Sequence, residues 1–161
     1  MCGIIGFTGR LEAQKILTEG LVALEYRGYD SAGIAYFKDT GKISIRKTVG
    51  KVKDLLAICD DENNSTCGIG HTRWATHGGV TITNAHPHIS SDKRFVIAQN
   101  GIVENYEPLK KILSQKGYVF NTQVDTEVIL KLIEDNLKKN NDIRNAFIKA
   151  FKKLEGRNTV I

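Results

Sequence analysis

Cys2 directly follows the initiator methionine and could unite two catalytic groups in one residue. If Met1 is removed, which small side chains at position two generally permit, Cys2 carries both a thiol and a free α-amine. A thiol is a nucleophile once ionised, and an α-amine, whose pKa in short peptides is about 8, accepts protons near neutral pH. Together they form a nucleophile with its own base, as in threonine enzymes that use the terminal amine. A lone cysteine at a chain end can also be an accident of an unstructured terminus, so the rest of the sequence must decide.

A second reactive segment, His71–Gly78, follows a predicted strand and contains an arginine, an indole, a hydroxyl and two imidazoles. Arginine is the side chain best suited to holding a carboxylate through two parallel hydrogen bonds. Arg73 therefore indicates a carboxylate site, with a surface ion pair stacked on Trp74 as the structural alternative. All four histidines lie between His71 and His88, which raises a metal site as a competing interpretation. Their spacing lacks an HExxH pattern, so we predict structural imidazoles and no metal.

Asn100 and Gly101 come at the end of a further predicted strand. An Asn-Gly step is most often a turn. The functional alternative is an oxyanion hole made by the Asn100 side-chain amide and the Gly101 backbone N–H, each donor contributing about 3 kcal/mol in an acyl-transfer transition state.

Asp125 precedes a periodic apolar run and is predicted to be a helix N-cap, although a capping carboxylate can also receive a ligand ammonium. Arg27 ends the first predicted helix and either contacts the last carbonyls of that helix or reaches the nucleophile. Taken together, the candidate groups fit a free amino acid with a reactive side-chain amide. Arg73 would hold its carboxylate, Asp125 its ammonium, and Cys2 would attack the amide carbon. Glutamine is the natural candidate.

These groups are carried by one folding unit in which short strands are followed by helices. Strands are predicted at Gly3–Thr8, Ser31–Phe37, Ile43–Thr48, Thr66–His71 and Phe95–Gln99, with a hairpin turn at 39–42. Helices are predicted at Ala13–Tyr26, Val52–Ile58, Tyr106–Gln115, Thr126–Lys138 and Ile143–Leu154. Residues 73–92 form a long irregular segment that is typical of a functional loop or lid.

The composition is that of an ordinary globular domain, with 161 residues, 41% hydrophobic and 25% charged. We predict a cytosolic protein, because no apolar run approaches the ~20 residues of a membrane span and no signal-peptide pattern opens the chain. Three cysteines fit a reducing compartment. The net charge of +5 does not indicate a nucleic-acid partner, since no aromatic residues interleave the basic cluster at 46–53.

Six segments, in order, resemble the N-terminal-nucleophile glutamine amidotransferases. They are Cys2–Gly6, Leu24–Gly33, His71–Gly78, Asn84–His88, Asn100–Asn105 and Asp125–Val128. Trp74 and the sequence of residues Tyr26–Tyr29 favour the hexosamine-forming branch of the family. The resemblance implies an α+β fold, a four-layer αββα sandwich of the N-terminal-nucleophile hydrolase type. It also implies that residues 1–161 are a glutaminase domain whose C-terminal part is missing.

The resemblance assigns the catalytic roles residue by residue. It implies that Cys2 is the nucleophile with its α-amine as general base, and that Asn100 and Gly101 form the oxyanion hole. Arg27 is implied as a supporting residue near the nucleophile.

The same resemblance assigns the substrate contacts. Arg73 is implied to bind the α-carboxylate of L-glutamine and Asp125 its α-amino group. Trp74, Thr76 and His77 belong to the loop that closes over the substrate. Neither a cofactor nor a metal is implied. The implied partners are the sugar-isomerase domains of a longer protein, with a homodimer formed through them.

Two other interpretations remain open at this stage. One is an N-terminal cysteine amidohydrolase or amidotransferase of another branch, such as the amidophosphoribosyltransferases. The other is an inactive or metal-binding fragment. The chain also departs from the family at Gln99, where histidine is usual, and at Val80, where proline is common.

Overall fold

The computed structural model describes residues 2–38, 40–59 and 64–161, and its centre is a four-stranded antiparallel sheet. The strands follow the order β1-β4-β2-β3. They are β1 (Gly3–Thr8), β2 (Ser31–Phe37), β3 (Ile43–Val49) and β4 (Cys67–Arg73). The predicted hairpin between β2 and β3 is confirmed, with Ser31 opposite Val49. Residue 39 of its turn, and residues 60–63 before β4, lie outside the described residues.

Two helices cover one face of this sheet. In α1 (Ala13–Leu24), residues spaced by four, Ala13, Leu17 and Leu21, are fully buried against the strands, as an amphipathic helix requires. The short α2 (Val52–Leu56) adds two buried side chains to the same apolar cluster. The helix predicted over Ala13–Tyr26 ends earlier, and a 3-10 turn (Glu25–Arg27) follows it. That turn places the Glu25 carboxylate 2.6 Å from the backbone N–H of Val52, which ties α1 to α2.

Two short antiparallel ladders and three helices lie on the other side. β5 (His88–Ile89) pairs with β6 (Val96–Ile97), and β7 (Gln99–Gly101) pairs with β8 (Asn158–Val160). The helices are α3 (Tyr106–Gln115), α4 (Thr126–Asn140) and α5 (Ile143–Phe151). The prediction of a single strand over Phe95–Gln99 is therefore wrong, because two short strands, β6 and β7, occupy this part of the chain. The chain changes its pairing partner there, because Ala98 exchanges two 3.0 Å hydrogen bonds with Ile161.

The layers stack as helices, sheet, strand ladders and helices, which confirms the αββα prediction. One apolar core lies between the four-stranded sheet and α1 with α2, and the other lies among α3, α4, α5 and the ladders. The sheet closely meets the loop that precedes β5, since a Cβ on Gly33 would lie 2.2 Å from the carbonyl oxygen of His86. No helix in the described ranges is both long enough and apolar enough to span a bilayer.

Candidate active site

The start of β1 and the end of β4 bring Cys2 to the reactive segment. Gly3 lies opposite Thr72 in the register, so Cys2 is level with Arg73. The Gly3 N–H donates to the Thr72 hydroxyl at 3.1 Å, which fixes the backbone beside Cys2. The Trp74 N–H points to the Cys2 sulfur, with 3.4 Å between nitrogen and Sγ. Residues 72 positions apart in sequence are thus joined by strand pairing.

The carbonyl oxygen of Cys2 is held from two further elements. The Nε of Arg27 donates to it at 3.1 Å. Of the two positions predicted for Arg27, the structure shows the one in which its side chain reaches Cys2. The Nδ2 of Asn100 donates to the same oxygen at 3.0 Å. Because an amide nitrogen carries two hydrogens, a second N–H of Asn100 remains for a bound oxygen atom.

Gly101 lies inside β7, so the Asn-Gly step is not a turn. Its φ of +148° favours glycine, and a Cβ there would lie 2.2 Å from the carbonyl oxygen of Arg157. The N–H groups of Ala98 and Ile102 donate to carbonyl oxygens of the segment that contains β8. Along an antiparallel strand, only every second residue directs its N–H to a given neighbouring strand. The N–H of Gly101 is consequently directed away from β8 and is free to serve as a donor on the other edge.

Arg73 is buried, with 3% of its surface exposed. Its guanidinium donates to the carbonyl oxygens of Gly79 at 3.1 Å and Gly78 at 3.3 Å, and also to that of His77. No carboxylate pairs with it among the described residues. Burial lowers the pKa of the Arg73 guanidinium below its ordinary value. A buried cation whose partners are only carbonyl groups is suited to binding an anion from outside the protein.

The loop after β4 is anchored at its start. The backbone N–H of Ala75 donates to the Asp30 carboxylate at 2.8 Å, and the Trp74 ring packs edge-on against Tyr29 at 5.6 Å. Trp74 is nevertheless 46% exposed, and Thr76 is exposed as well. These side chains are therefore free to contact a substrate.

The far end of this loop is fixed to the segment before α4. Asn84 donates to the side-chain oxygen of Gln123 at 3.1 Å, and the Gln123 N–H donates back to Asn84 at 3.0 Å. Gly78, with φ +73°, allows close contact, because a Cβ there would lie 2.7 Å from that of Gln123. These contacts bring the Arg73 loop beside Asp125. His77 lies near Tyr106, with 6.4 Å between the ring centres.

Asp125 occupies the N-cap position of α4, but its carboxylate makes no capping hydrogen bond. The predicted N-cap position is confirmed, but the capping hydrogen bond expected of its side chain is not made. Its Oδ2 instead accepts the Val103 N–H at 2.7 Å and the Gln99 side-chain amide at 3.3 Å. The described residues leave Oδ1 without a hydrogen-bond donor, so one oxygen is available to a ligand.

Gln99 is a site residue that sequence reasoning noted only as a departure from the family. It is 3% exposed, and its amide nitrogen also donates to Asn158 at 2.6 Å. Its amide oxygen accepts from the Thr126 hydroxyl. Gln99 thus holds the Asp125 carboxylate in place. Its position at the end of a predicted strand, next to Asn100, is the sequence feature that could have identified it as a site residue.

Three buried histidines lie behind the loop. The rings of His71 and His86 stack at 4.1 Å, and His88 meets His86 edge-on at 4.7 Å. Burial lowers the pKa of His71 to about 4, lowers that of His88 to about 3, and holds that of His86 well below its ordinary value. The described residues contain no cluster of three or more His, Cys, Asp or Glu side chains placed to hold a metal ion.

Acidification is expected to destabilise the fold through these imidazoles. An unfolded histidine titrates near pH 6.5, whereas the folded pKa is about 4 for His71 and about 3 for His88. Below pH 6.5 the unfolded chain binds protons that the folded chain does not. Stability is therefore highest above that pH and falls by about 1.4 kcal/mol per pH unit for each buried imidazole.

Urea unfolding at pH 7, 6 and 5 measures this slope. His88→Gln should reduce the slope of the unfolding free energy against pH by the contribution of one buried imidazole, about 1.4 kcal/mol per pH unit. A free energy of unfolding that is constant across this range, or a slope unchanged in the variant, would contradict the prediction.

Comparison with known proteins places this geometry in a family. The family described as glutamine amidotransferase domain matches residues 54–142. Over 97% of its length, the chain is 48% identical to a glutamine–fructose-6-phosphate aminotransferase (isomerizing) from Methanococcus maripaludis. It spans 27% of that protein.

Two solved structures share the fold. Glutamine phosphoribosylpyrophosphate amidotransferase from B. subtilis, complexed with ADP and GMP, superposes with a TM-score of 0.86 at 26% identity. An allosteric regulatory enzyme of purine biosynthesis superposes with a TM-score of 0.88 at 27% identity. Each match covers 99% of this chain and 34% of the other. The family match spans more than half of the chain, and the chain belongs to the glutamine amidotransferase domain family.

Proposed function

We propose that this chain hydrolyses the side-chain amide of L-glutamine as the glutaminase part of a cytosolic glutamine–fructose-6-phosphate aminotransferase. The observation that carries the proposal is the meeting of three segments at Cys2: Trp74 lies against its sulfur, and Asn100 and Arg27 lie against its carbonyl. Identity of 48% to the aminotransferase, against 26% to the phosphoribosyl enzyme, supports the hexosamine-forming branch.

In the proposed reaction, the α-amine of Cys2 takes the thiol proton as Sγ attacks the amide carbon. The amide oxygen becomes an oxyanion that accepts hydrogen bonds from Asn100 Nδ2 and the Gly101 N–H. Collapse breaks the C–N bond, and the proton held by the amine leaves with ammonia. Water then attacks the γ-glutamyl thioester while the amine takes one of its protons. The C–S bond breaks, that proton returns to Sγ, and glutamate is released.

Substrate recognition follows from two buried charges. Arg73 lacks a carboxylate partner in the described part of the chain and is proposed to bind the α-carboxylate of glutamine. Asp125 is proposed to bind the α-ammonium through Oδ1, while Oδ2 stays bonded to Val103. Trp74, Thr76 and His77 would cover the bound amino acid. Ammonia would then pass to the sugar-isomerase domains of a longer, dimeric protein, which form glucosamine 6-phosphate from fructose 6-phosphate.

The role of Asp125 is tested by comparing glutamine with 4-carbamoylbutanoate, which lacks the α-amine. We expect kcat/KM to favour glutamine by about 100-fold, since leaving one partner of a buried charge pair alone costs about 2–5 kcal/mol. Asp125→Asn should reduce that preference to below about tenfold, while the one side-chain oxygen that remains can still accept from Val103. The matched control is Asp142→Asn, which replaces one good N-cap residue with another on α5. Equal preference in the wild type and Asp125→Asn would exclude this role.

A further inference from the structure

A cavity of about 440 Å³ lies between β3, residues 82–93 and the start of α4. None of the residues proposed to bind glutamine lines it. In the order β1-β4-β2-β3, two strand spacings separate β3 from β4, whose last residue is Arg73. At about 4.8 Å per spacing, this is a separation of about 10 Å. The cavity is therefore distinct from the candidate active site.

Two of the four lysine and glutamate side chains along this cavity, Lys131 and Glu127, are satisfied within the protein. Lys131 Nζ lies 3.3 Å from the Glu134 carboxylate and donates to the Ser91 hydroxyl at 2.8 Å. The Glu127 carboxylate accepts from both the backbone N–H and the hydroxyl of Thr122 at 2.7 Å. These two groups do not require a ligand.

Lys47 differs from them. Its Nζ has two long contacts, 3.4 Å to the carbonyl oxygen of Pro87 and 3.5 Å to that of Thr83. No carboxylate lies within 4.0 Å of it in the described ranges. Burial, with the positive charge of Arg73, lowers the pKa of the Lys47 amine to about 8. A partly buried ammonium without a counter-ion costs free energy that an anion in the cavity would offset.

We propose that this cavity binds a small monocarboxylate, whose charge pairs with Lys47 and whose apolar body lies against Ile45, Ile82 and Leu130. The volume is within the range of small-molecule sites. A phosphate dianion fits less well, because such sites use several converging N–H donors, whereas the nearest groups around Nζ are carbonyl oxygens.

Calorimetric titration of the 161-residue chain with hexanoate, and with the neutral hexanamide as its match, tests the role of the charge. Hexanoate should bind at least tenfold more tightly than hexanamide. Lys47→Met should remove that difference, and Lys111→Met, on the exposed surface of α3, should retain it. Equal affinity for the two probes, or a preference for hexanoate that persists in Lys47→Met, would overturn the proposal.

A measurement on the unmodified protein locates the ligand and does not depend on the folding of a variant. Trace acetic anhydride acetylates lysines, and mass spectrometry gives the rate at each one. Saturating hexanoate should slow acetylation of Lys47 at least fivefold and leave Lys111 unchanged, while hexanamide should protect neither. Hexanoate bound only at Arg73 would leave Lys47 unprotected, and that result would contradict the site.

Discussion

Cys2→Ala is expected to abolish glutamine hydrolysis, with kcat falling by at least about 10⁴-fold. The variant loses the only atom proposed to attack the substrate. The contacts from Arg27 and Asn100 go to the backbone carbonyl of Cys2, so they persist when the side chain is shortened. Loss of activity should therefore occur without a large change in the thermal midpoint. Single-turnover and steady-state release of ammonia measure the effect.

Cys59→Ala is the matched control, because Cys59 packs against the core beneath α1 and α2, away from the candidate site. It should keep its turnover, even if packing losses lower its stability. If Cys2→Ala retained more than about 1% of wild-type kcat, another nucleophile would have to be sought.

Asn100→Ala is expected to lower kcat by about 10²–10³ with little change in KM. The side-chain amide is proposed to donate to the oxyanion, which develops only after the substrate is bound, so its loss weakens the transition state and spares ground-state binding. The variant also loses the 3.0 Å bond to the Cys2 carbonyl, which costs about 1 kcal/mol of stability. Steady-state kinetics, with a thermal melt beside it, separate the two effects.

Asn105→Ala provides the comparison for this variant. Asn105 bonds to the backbone of Lys153 and Glu155 and makes no contact with Cys2. It should lose stability and keep kcat. Turnover near wild type in Asn100→Ala would defeat the oxyanion assignment.

The elements that sequence could predict are those with strong local signals. β1 and β2 have the predicted bounds, because alternating or continuous apolar runs stop at polar or glycine residues. α3 also has its predicted limits, Tyr106–Gln115. Helix ends set by tertiary contacts were less accurate, as at α1, where the 3-10 turn joins α2 and carries Arg27 toward Cys2.

Contacts between distant segments could not be read from local pattern. The N-terminal strand was predicted, but its pairing with β4, which places Cys2 beside Trp74, depends on a register across 72 positions. The same limit applies to Asp125. Its position before an apolar run predicted a cap, whereas the fold brings Val103 and Gln99 to its carboxylate, and buried donors compete better than a solvated helix end.

The resemblance to the family made it possible to predict which residues form the candidate site, because a family pattern carries spatial information that one sequence lacks. It gathered Cys2, Arg73, Asn100 and Asp125 into one pocket, and the structure brings their segments together. It could not predict how Gln99 would fill the usual histidine position. That depends on which donors and acceptors surround a buried side chain, and here they are Thr126, Asn158 and Asp125.

The central claim of the proposed mechanism is that the α-amine of Cys2, freed by removal of Met1, accepts the thiol proton. Intact mass identifies preparations that begin at Cys2 and preparations that keep Met1, and glutamine hydrolysis is then compared at equal protein concentration. A general base contributes about 10²–10⁴-fold, so the form beginning at Cys2 should be faster by at least about 100-fold. Equal rates from the two forms would show that the terminal amine is not the proton acceptor.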